Sequence, residues 1–167
     1  QLPADASNAA ERVSLLRRRV KLLKRCCEDN SQGKAKVLDA QEQLVDATTA
    51  HSSASAADKD TAADELVELS ELLDNNAGNY ARAMQLLDRA IDSKLAVGAP
   101  PTDVALIFFK QGRLFNRMGR YQEAVERLQS SVEIRSQVLG EEHLDLAASF
   151  NWLGNAFKNL KKLEEAL

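Results

Sequence analysis

The chain has 167 residues, 44% apolar but only 5% aromatic, with seven glycines and three prolines. That is enough for one domain with a core, and the weight of Ala, Leu, Glu, Lys and Arg favours helix throughout. No run approaches the roughly 20 apolar residues that span a bilayer, and the opening QLPADASN lacks the basic start and apolar stretch of a signal peptide. The net charge of −3 is uneven: residues 1–29 carry seven Lys/Arg against four Asp/Glu, the remainder 15 against 21.

Period-2 alternation is nearly absent, whereas 3–4 spacing recurs along the chain. Val13, Leu16, Val20, Leu23 and Cys27 step by 3, 4, 3 and 4, and Asp29, Asn30 and Gly33 make a stop. Val37, Ala40, Leu44, Ala47 and His51 repeat the spacing. The short join predicts a leading hairpin of antiparallel helices over residues 1–51. SSASAADKD (Ser52 to Asp60) is small, polar and aperiodic, and reads as a linker or frayed helix end. Thr61 is then a candidate cap for a helix carrying Leu66, Leu69 and Leu73, ended by NNAG. Further helices are predicted over Tyr80 to Val97, from Thr102 to near Gly119, over Tyr121 to Leu139, and over Asp145 to Leu160. That makes about seven helices and a truncated eighth. A start without Met and an end at LEEAL, in mid-pattern, read as a fragment or a processed chain.

The second half repeats itself. Moved forward by 42 residues, Phe108, Gly112, Phe115 and Glu123-Ala124 fall on Phe150, Gly154, Phe157 and Glu165-Ala166. Moved back by 41, Gly119, Tyr121, Leu128 and Val132 fall on Gly78, Tyr80, Leu87 and Ile91. Gly140, Asp145 and Ala147 meet Gly98, Asp103 and Ala105 at 42. Such a period means stacked supersecondary units, none large enough to bury its own apolar face. Small Gly112 and Ala124 let two helices approach, while Phe115 and Tyr121 fill the space between hairpins.

GRYQEAVERLQSSVEIRSQVLGEEHLDLAASFNWLG resembles the tetratricopeptide repeat, in the 42-residue form of kinesin light chains. Tyr121, Glu123, Ala124, Leu128, Ile134, Arg135, Leu139, Gly140, His143, Asp145, Ala147, Ser149 and Asn151 match that pattern. Leu144, Trp152 and Gly154 depart from it, standing where Pro, Asn and Ala are usual. The resemblance covers about Thr61 to Leu167, and the leading hairpin fits it loosely, as a cap or degenerate repeat. It implies an all-α fold of antiparallel hairpins stacked into a right-handed superhelix, whose first helices line a concave, peptide-binding face.

With Phe150, Leu153 and Phe157 packed inward, helical spacing puts Asn151, Asn155, Lys158 and Asn159 on that lining. With Phe108 and Phe115 inward, it puts Phe109, Arg113, Asn116 and Arg117 there. From the hairpin before come Asp64, Glu71 and Asp74. Asn side chains can hold a peptide backbone, and the family's Asn at position 151 contacts it. Arg113 and Arg117, one turn apart, can fork onto carboxylates, and Phe109 can supply an apolar pocket. The expected ligand is an acidic peptide segment with one hydrophobic anchor; a solvated or covered face is the alternative. Trp152 fits a core filler.

Arg17, Arg18, Arg19, Lys21, Lys24 and Arg25 lie outside the Val13-Leu16-Val20-Leu23 seam and form a second candidate surface. An acidic protein surface such as a microtubule wall, RNA or an anionic membrane could match it, as could the chain's own acidic body. The lack of nearby aromatics argues against single-stranded RNA. Cys26 and Cys27, adjacent and without other cysteines, point to a reducing, cytoplasmic compartment, and make a poor zinc site.

No GxSxG, phosphate loop, HExxH or Cys/His pairing appears, so catalysis, a cofactor, a metal and a small-molecule substrate are not expected. His143 beside Glu141, Glu142 and Asp145 could suggest a metal, but better fits a cap on the next helix. The expectation is a protein-binding adaptor or scaffold. The alternative is a structural subunit buried permanently in a large, for example cytoskeletal, assembly.

Overall fold

The computed structural model describes residues 56–75 and 80–166, and residues 39, 43 and 46 besides. The predicted leading hairpin, with Cys26, Cys27 and the basic surface Arg17, Arg18, Arg19, Lys21, Lys24 and Arg25, otherwise lies outside the described residues. Five helices follow one another: α1 (Ala56–Asn75), α2 (Tyr80–Ala96), α3 (Pro101–Arg117), α4 (Tyr121–Leu139) and α5 (Leu144–Ala166). Each packs against the next, and α3 also touches α5. The architecture is a stack of antiparallel hairpins, all helical among the described residues.

The turns explain where the helices end. Gly119 takes φ 75°, the left-handed region that costs glycine nothing. Its N–H bonds to the Asn116 carbonyl, and the Arg120 N–H to the Phe115 carbonyl at 3.0 Å, the paired bonds of a Schellman stop. Gly98 (φ 67°) closes α2 the same way, with the Ala99 N–H on the Lys94 carbonyl at 2.9 Å. The bounds of α4 are those the sequence pattern predicts.

Three boundaries differ. Helix α1 begins at Ala56 rather than at Thr61, so part of the expected 52–60 linker is helical. Ala56 and Ala57 are good helix formers, and Asp60 is anchored on Lys94 at 2.8 Å. Thr102 does not cap α3: Pro100 holds the cap position and Pro101 opens the helix, where a missing N–H costs nothing. Among the described residues no separate further helix starts near the end. Lys161 stands where the repeat would place the equivalent of Gly119, so α5 runs on to Ala166.

The core is a ribbon with two thickenings. Leu66 and Leu69 of α1, Ala83, Leu86, Leu87 and Ala90 of α2, and Ile107 and Leu114 of α3 form the first. Phe115, Ala124, Val125, Leu128 and Ala156 form the second, and Met84 and Met118 pack against both. Burial between sequence neighbours is the energetic signature of a solenoid.

Candidate functional site

The first helices of the hairpins, α1, α3 and α5, lie side by side, and contacts between them lay out one face. Lys110 of α3 is ion-paired with Glu71 of α1. The Arg113 guanidinium lies over Trp152 of α5 at 5.1 Å and over Phe109 at 5.8 Å from the ring centres. One turn on, the Asn159 amide donates to the Asn116 side-chain carbonyl at 3.1 Å.

Among the residues predicted to line a groove, Phe109, Arg113, Asn116 and Asn159 are thus brought together, all half-buried. Arg117, Asn151, Asn155 and Lys158 are exposed along the same helices. Phe109 is no open pocket: it packs against the second core cluster and has the Arg135 guanidinium 5.0 Å from its ring centre. Trp152, Arg113, Phe109 and Arg135 therefore form a column of alternating rings and cations, in which Trp152 and Phe109 both hold Arg113. The Arg113 Nε is buried without a hydrogen-bond partner.

One packing expectation is overturned. Phe150 and Phe157 do not point inward; they are 53% and 46% exposed. The buried seam of α5 is Leu146, Ser149, Leu153, Ala156 and Leu160, of which Leu146, Ser149 and Ala156 are at most 2% exposed. Phe108 and Phe115, at the equivalent positions of α3, meet α4, where Arg127 lies 5.5 Å from the Phe108 ring centre. No helix among the described residues covers the corresponding side of α5.

A groove of about 380 Å³ opens between α1 and α3, with Val67, Leu106 and Ile107 on its apolar side and Asp64, Glu68, Glu71 and Asp103 among its polar lining. At one end sits Lys94, 2% exposed, which the sequence reading passed over. Its ammonium meets Asp60 at 2.8 Å, Asp64 at 2.7 Å and Asp103 at 3.1 Å. Burial pulls the Lys94 pKa down, but the three carboxylates outweigh it and hold it well above the usual lysine range. Arg135 occupies the matching position 41 residues on, donating to the Asp145 carbonyl at 2.7 Å and the Ser149 hydroxyl at 2.8 Å. Burial lowers its pKa, and the negative charge of Asp145 opposes the shift. Each cation pins the end of a second helix to the start of the next hairpin. The repeat offset was the signal that could have found Lys94, since Arg135 was already in the motif.

At the turn before α5, the His143 Nδ1 accepts the Asp145 N–H at 3.1 Å, a capping bond. Among the described residues no group of three or more His, Cys, Asp or Glu could hold a metal ion. No helix there is long and apolar enough to cross a membrane.

Hairpins stacked through glycine turns and buried cations, with their first helices lining one face, define a helical-repeat protein. Residues 103–167 match the family model of the tetratricopeptide repeat. The fold is similar to that of the nearly identical TPR-like repeats of a Podosopora anserina protein assigned as a kinesin light chain, at 22% identity and a TM-score of 0.57, over 92% of this chain and 71% of that one. A second structure of that protein, carrying a Gln-to-Met substitution, gives 22% identity, a TM-score of 0.58, and coverage of 92% and 70%. BtubC (BKLC) from P. vanneervenii is similar at 16% identity and a TM-score of 0.52, over 97% of this chain and 70% of that one. No curated protein matches the sequence. The tetratricopeptide repeat read from the motifs is thus matched over residues 103–167, and the stacked-hairpin fold is similar to that of the kinesin-light-chain-type repeat structures over the wider match. Repeats of this kind are in general protein-interaction modules.

Proposed function

We propose that this chain is a non-catalytic adaptor whose concave face, on α3 and α5, binds an extended acidic segment of a partner protein through Arg113 and Arg117, with Asn116, Asn151, Asn155, Lys158 and Asn159 along its path. The observation that carries this reading is Arg113. Its guanidinium lies over the rings of Trp152 and Phe109, and no carboxylate among the described residues pairs with it. A stacked arginine keeps its edge donors available, and a carboxylate fits that fork. A cytoplasmic setting, linked to the cytoskeleton, belongs to the same proposal and is suggested by the likeness to kinesin light chain repeats.

The test is fluorescence anisotropy with a labelled peptide of about a dozen residues, rich in Asp and Glu around one Leu or Trp, beside an Asn/Gln version. Wild type should prefer the acidic peptide, less so at high salt. The Arg113→Glu/Arg117→Glu variant should lose the preference. An unchanged affinity in that variant would sink the reading.

A second reading, a subunit buried in a larger assembly, draws on Phe150 and Phe157, seven residues and so about two turns apart on one helix face, both about half exposed. Concentration-dependent self-association of the isolated chain, abolished by Phe150→Ser/Phe157→Ser, would favour it.

A further inference from the structure

The face formed by α1, α3 and α5 changes charge along its length, and the change is not required by the fold. Asp64, Glu68 and Glu71 of α1 have as repeat equivalents, 42 residues on, Leu106, Lys110 and Arg113 of α3, and 42 further, Ala148, Trp152 and Asn155 of α5. The same scaffold positions thus carry three acids, then an apolar residue and two bases, then no charge. The equivalence holds in space: the Glu71–Lys110 ion pair between α1 and α3 is replaced, one repeat along, by Arg113 over Trp152 between α3 and α5. A contact that works as an ion pair at one junction and as a stacked ring at the next is free to vary in charge.

The α1–α3 groove is correspondingly negative. Among the described residues that line it, the carboxylates of Asp64, Glu68, Glu71 and Asp103 outnumber the ammonium groups of Lys94 and Lys110, and Asp60 adds a further carboxylate on Lys94. Both lysines are already engaged, yet the Asp64 and Glu71 side chains stay 66% and 48% exposed. The groove is more than a rim of acids, because Leu106, 40% exposed, lies beside Val67 and Ile107 in its lining. A long basic side chain lays its methylenes on such a surface and sends its charge to the rim.

Resting on the proposed binding of a peptide at Arg113, we infer that the full ligand is a segment of mixed charge. A Lys or Arg sits in the α1–α3 groove, and an Asp or Glu sits over Arg113 and Arg117. Adjacent helices pack about 8–10 Å apart and an extended chain advances about 3.3 Å per residue, so the two charges stand about three residues apart. Acidic residues at both positions would bring like charges together over α1, which costs affinity and discriminates among partners.

The experiment uses the 167-residue chain and four labelled peptides equal in length and anchor residue. One carries Lys-x-x-Glu, one Glu-x-x-Lys, one Glu-x-x-Glu and one Gln-x-x-Gln. One of the two mixed peptides should bind roughly tenfold tighter than Glu-x-x-Glu, since one attraction replaces one repulsion of similar size. Glu68→Lys should reverse that order, and Glu68→Gln should reduce the difference severalfold; far-ultraviolet circular dichroism checks that both remain helical. If Glu-x-x-Glu binds wild type as tightly as the better of the two mixed peptides, the inference fails while the acidic-segment reading stands. If no charged peptide exceeds Gln-x-x-Gln, both fail. If the mixed peptide binds more tightly but Glu68→Lys leaves the order unchanged, the α1–α3 groove is not the site of its cation and the inference fails.

Discussion

Gly112 and Gly154 occupy the same position of consecutive repeats, and replacing each by alanine should change stability in opposite directions. A Cβ on Gly112 would sit 2.5 Å from Leu128 Cγ, 3.0 Å from its Cδ2 and 3.2 Å from the Ala124 carbonyl oxygen. Leu128 is fully buried and Cγ is its branch point, so the clash cannot be relieved by swinging a chain end; α3 and α4 must separate. Overpacking of this size costs about 1–3 kcal/mol, and the better helix propensity of alanine offsets about 0.8–1 kcal/mol. The net expectation for Gly112→Ala is a loss of about 1 kcal/mol. At Gly154 nothing lies within 4 Å of the added Cβ, so only the propensity gain remains, about 0.8–1 kcal/mol. In a chain of this size about 1 kcal/mol moves the melting midpoint by about 2–4 °C. Urea and thermal unfolding followed by helical circular dichroism would measure both variants. A Gly112→Ala protein as stable as wild type would refute the close approach of α3 and α4 as the reason for that glycine.

Three further expectations follow from the buried cations and the stacked arginine. Lys94→Met leaves Asp60, Asp64 and Asp103 facing one another, but these are partly hydrated, so the cost should be about 1–3 kcal/mol, less than for a fully buried pair, measured by urea unfolding. Because the folded pKa of Lys94 is raised above its ordinary 10.5, its stabilisation is complete below that value and is lost as pH climbs through the higher folded one. The wild-type minus Lys94→Met difference should therefore stay flat between about pH 7 and 10, and a steady decline over that range would contradict it. Arg135→Lys should cost about 1–2 kcal/mol, since an ammonium cannot both stack on Phe109 and reach the Asp145 carbonyl and Ser149 hydroxyl in the same geometry; prior removal of the Ser149 hydroxyl should shrink that cost in a double-mutant cycle. Arg113→Ala should alter the emission of Trp152, the single tryptophan, with helix content unchanged, and an unaltered spectrum would contradict the stacking.

Much of this fold is determined by local physics and is legible in the sequence alone. The 3–4 apolar spacing specifies helices whatever surrounds them, and glycines at Gly98, Gly119 and Gly140 mark turns because only a residue without Cβ enters the left-handed region freely. The 41–42 residue period then dictates that neighbouring hairpins stack. Even the unbroken run of α5 could have been read from Lys161 in place of glycine. Tertiary structure decided which apolar residues are covered. Phe108 and Phe150 hold equivalent positions, yet the first meets α4 and the second stands half exposed, because burial depends on a neighbouring helix and not on spacing within one's own. It also decided the electrostatics. Lys94 looks like a surface lysine near a helix end until α1 and α3 bring three carboxylates to it. Arg113 looks like one more exposed cation until Trp152, 39 residues away, turns it into a held one. Helices and turns come from interactions a few residues long, whereas the chemistry of the groove arises only where separate helices place their side chains against one another.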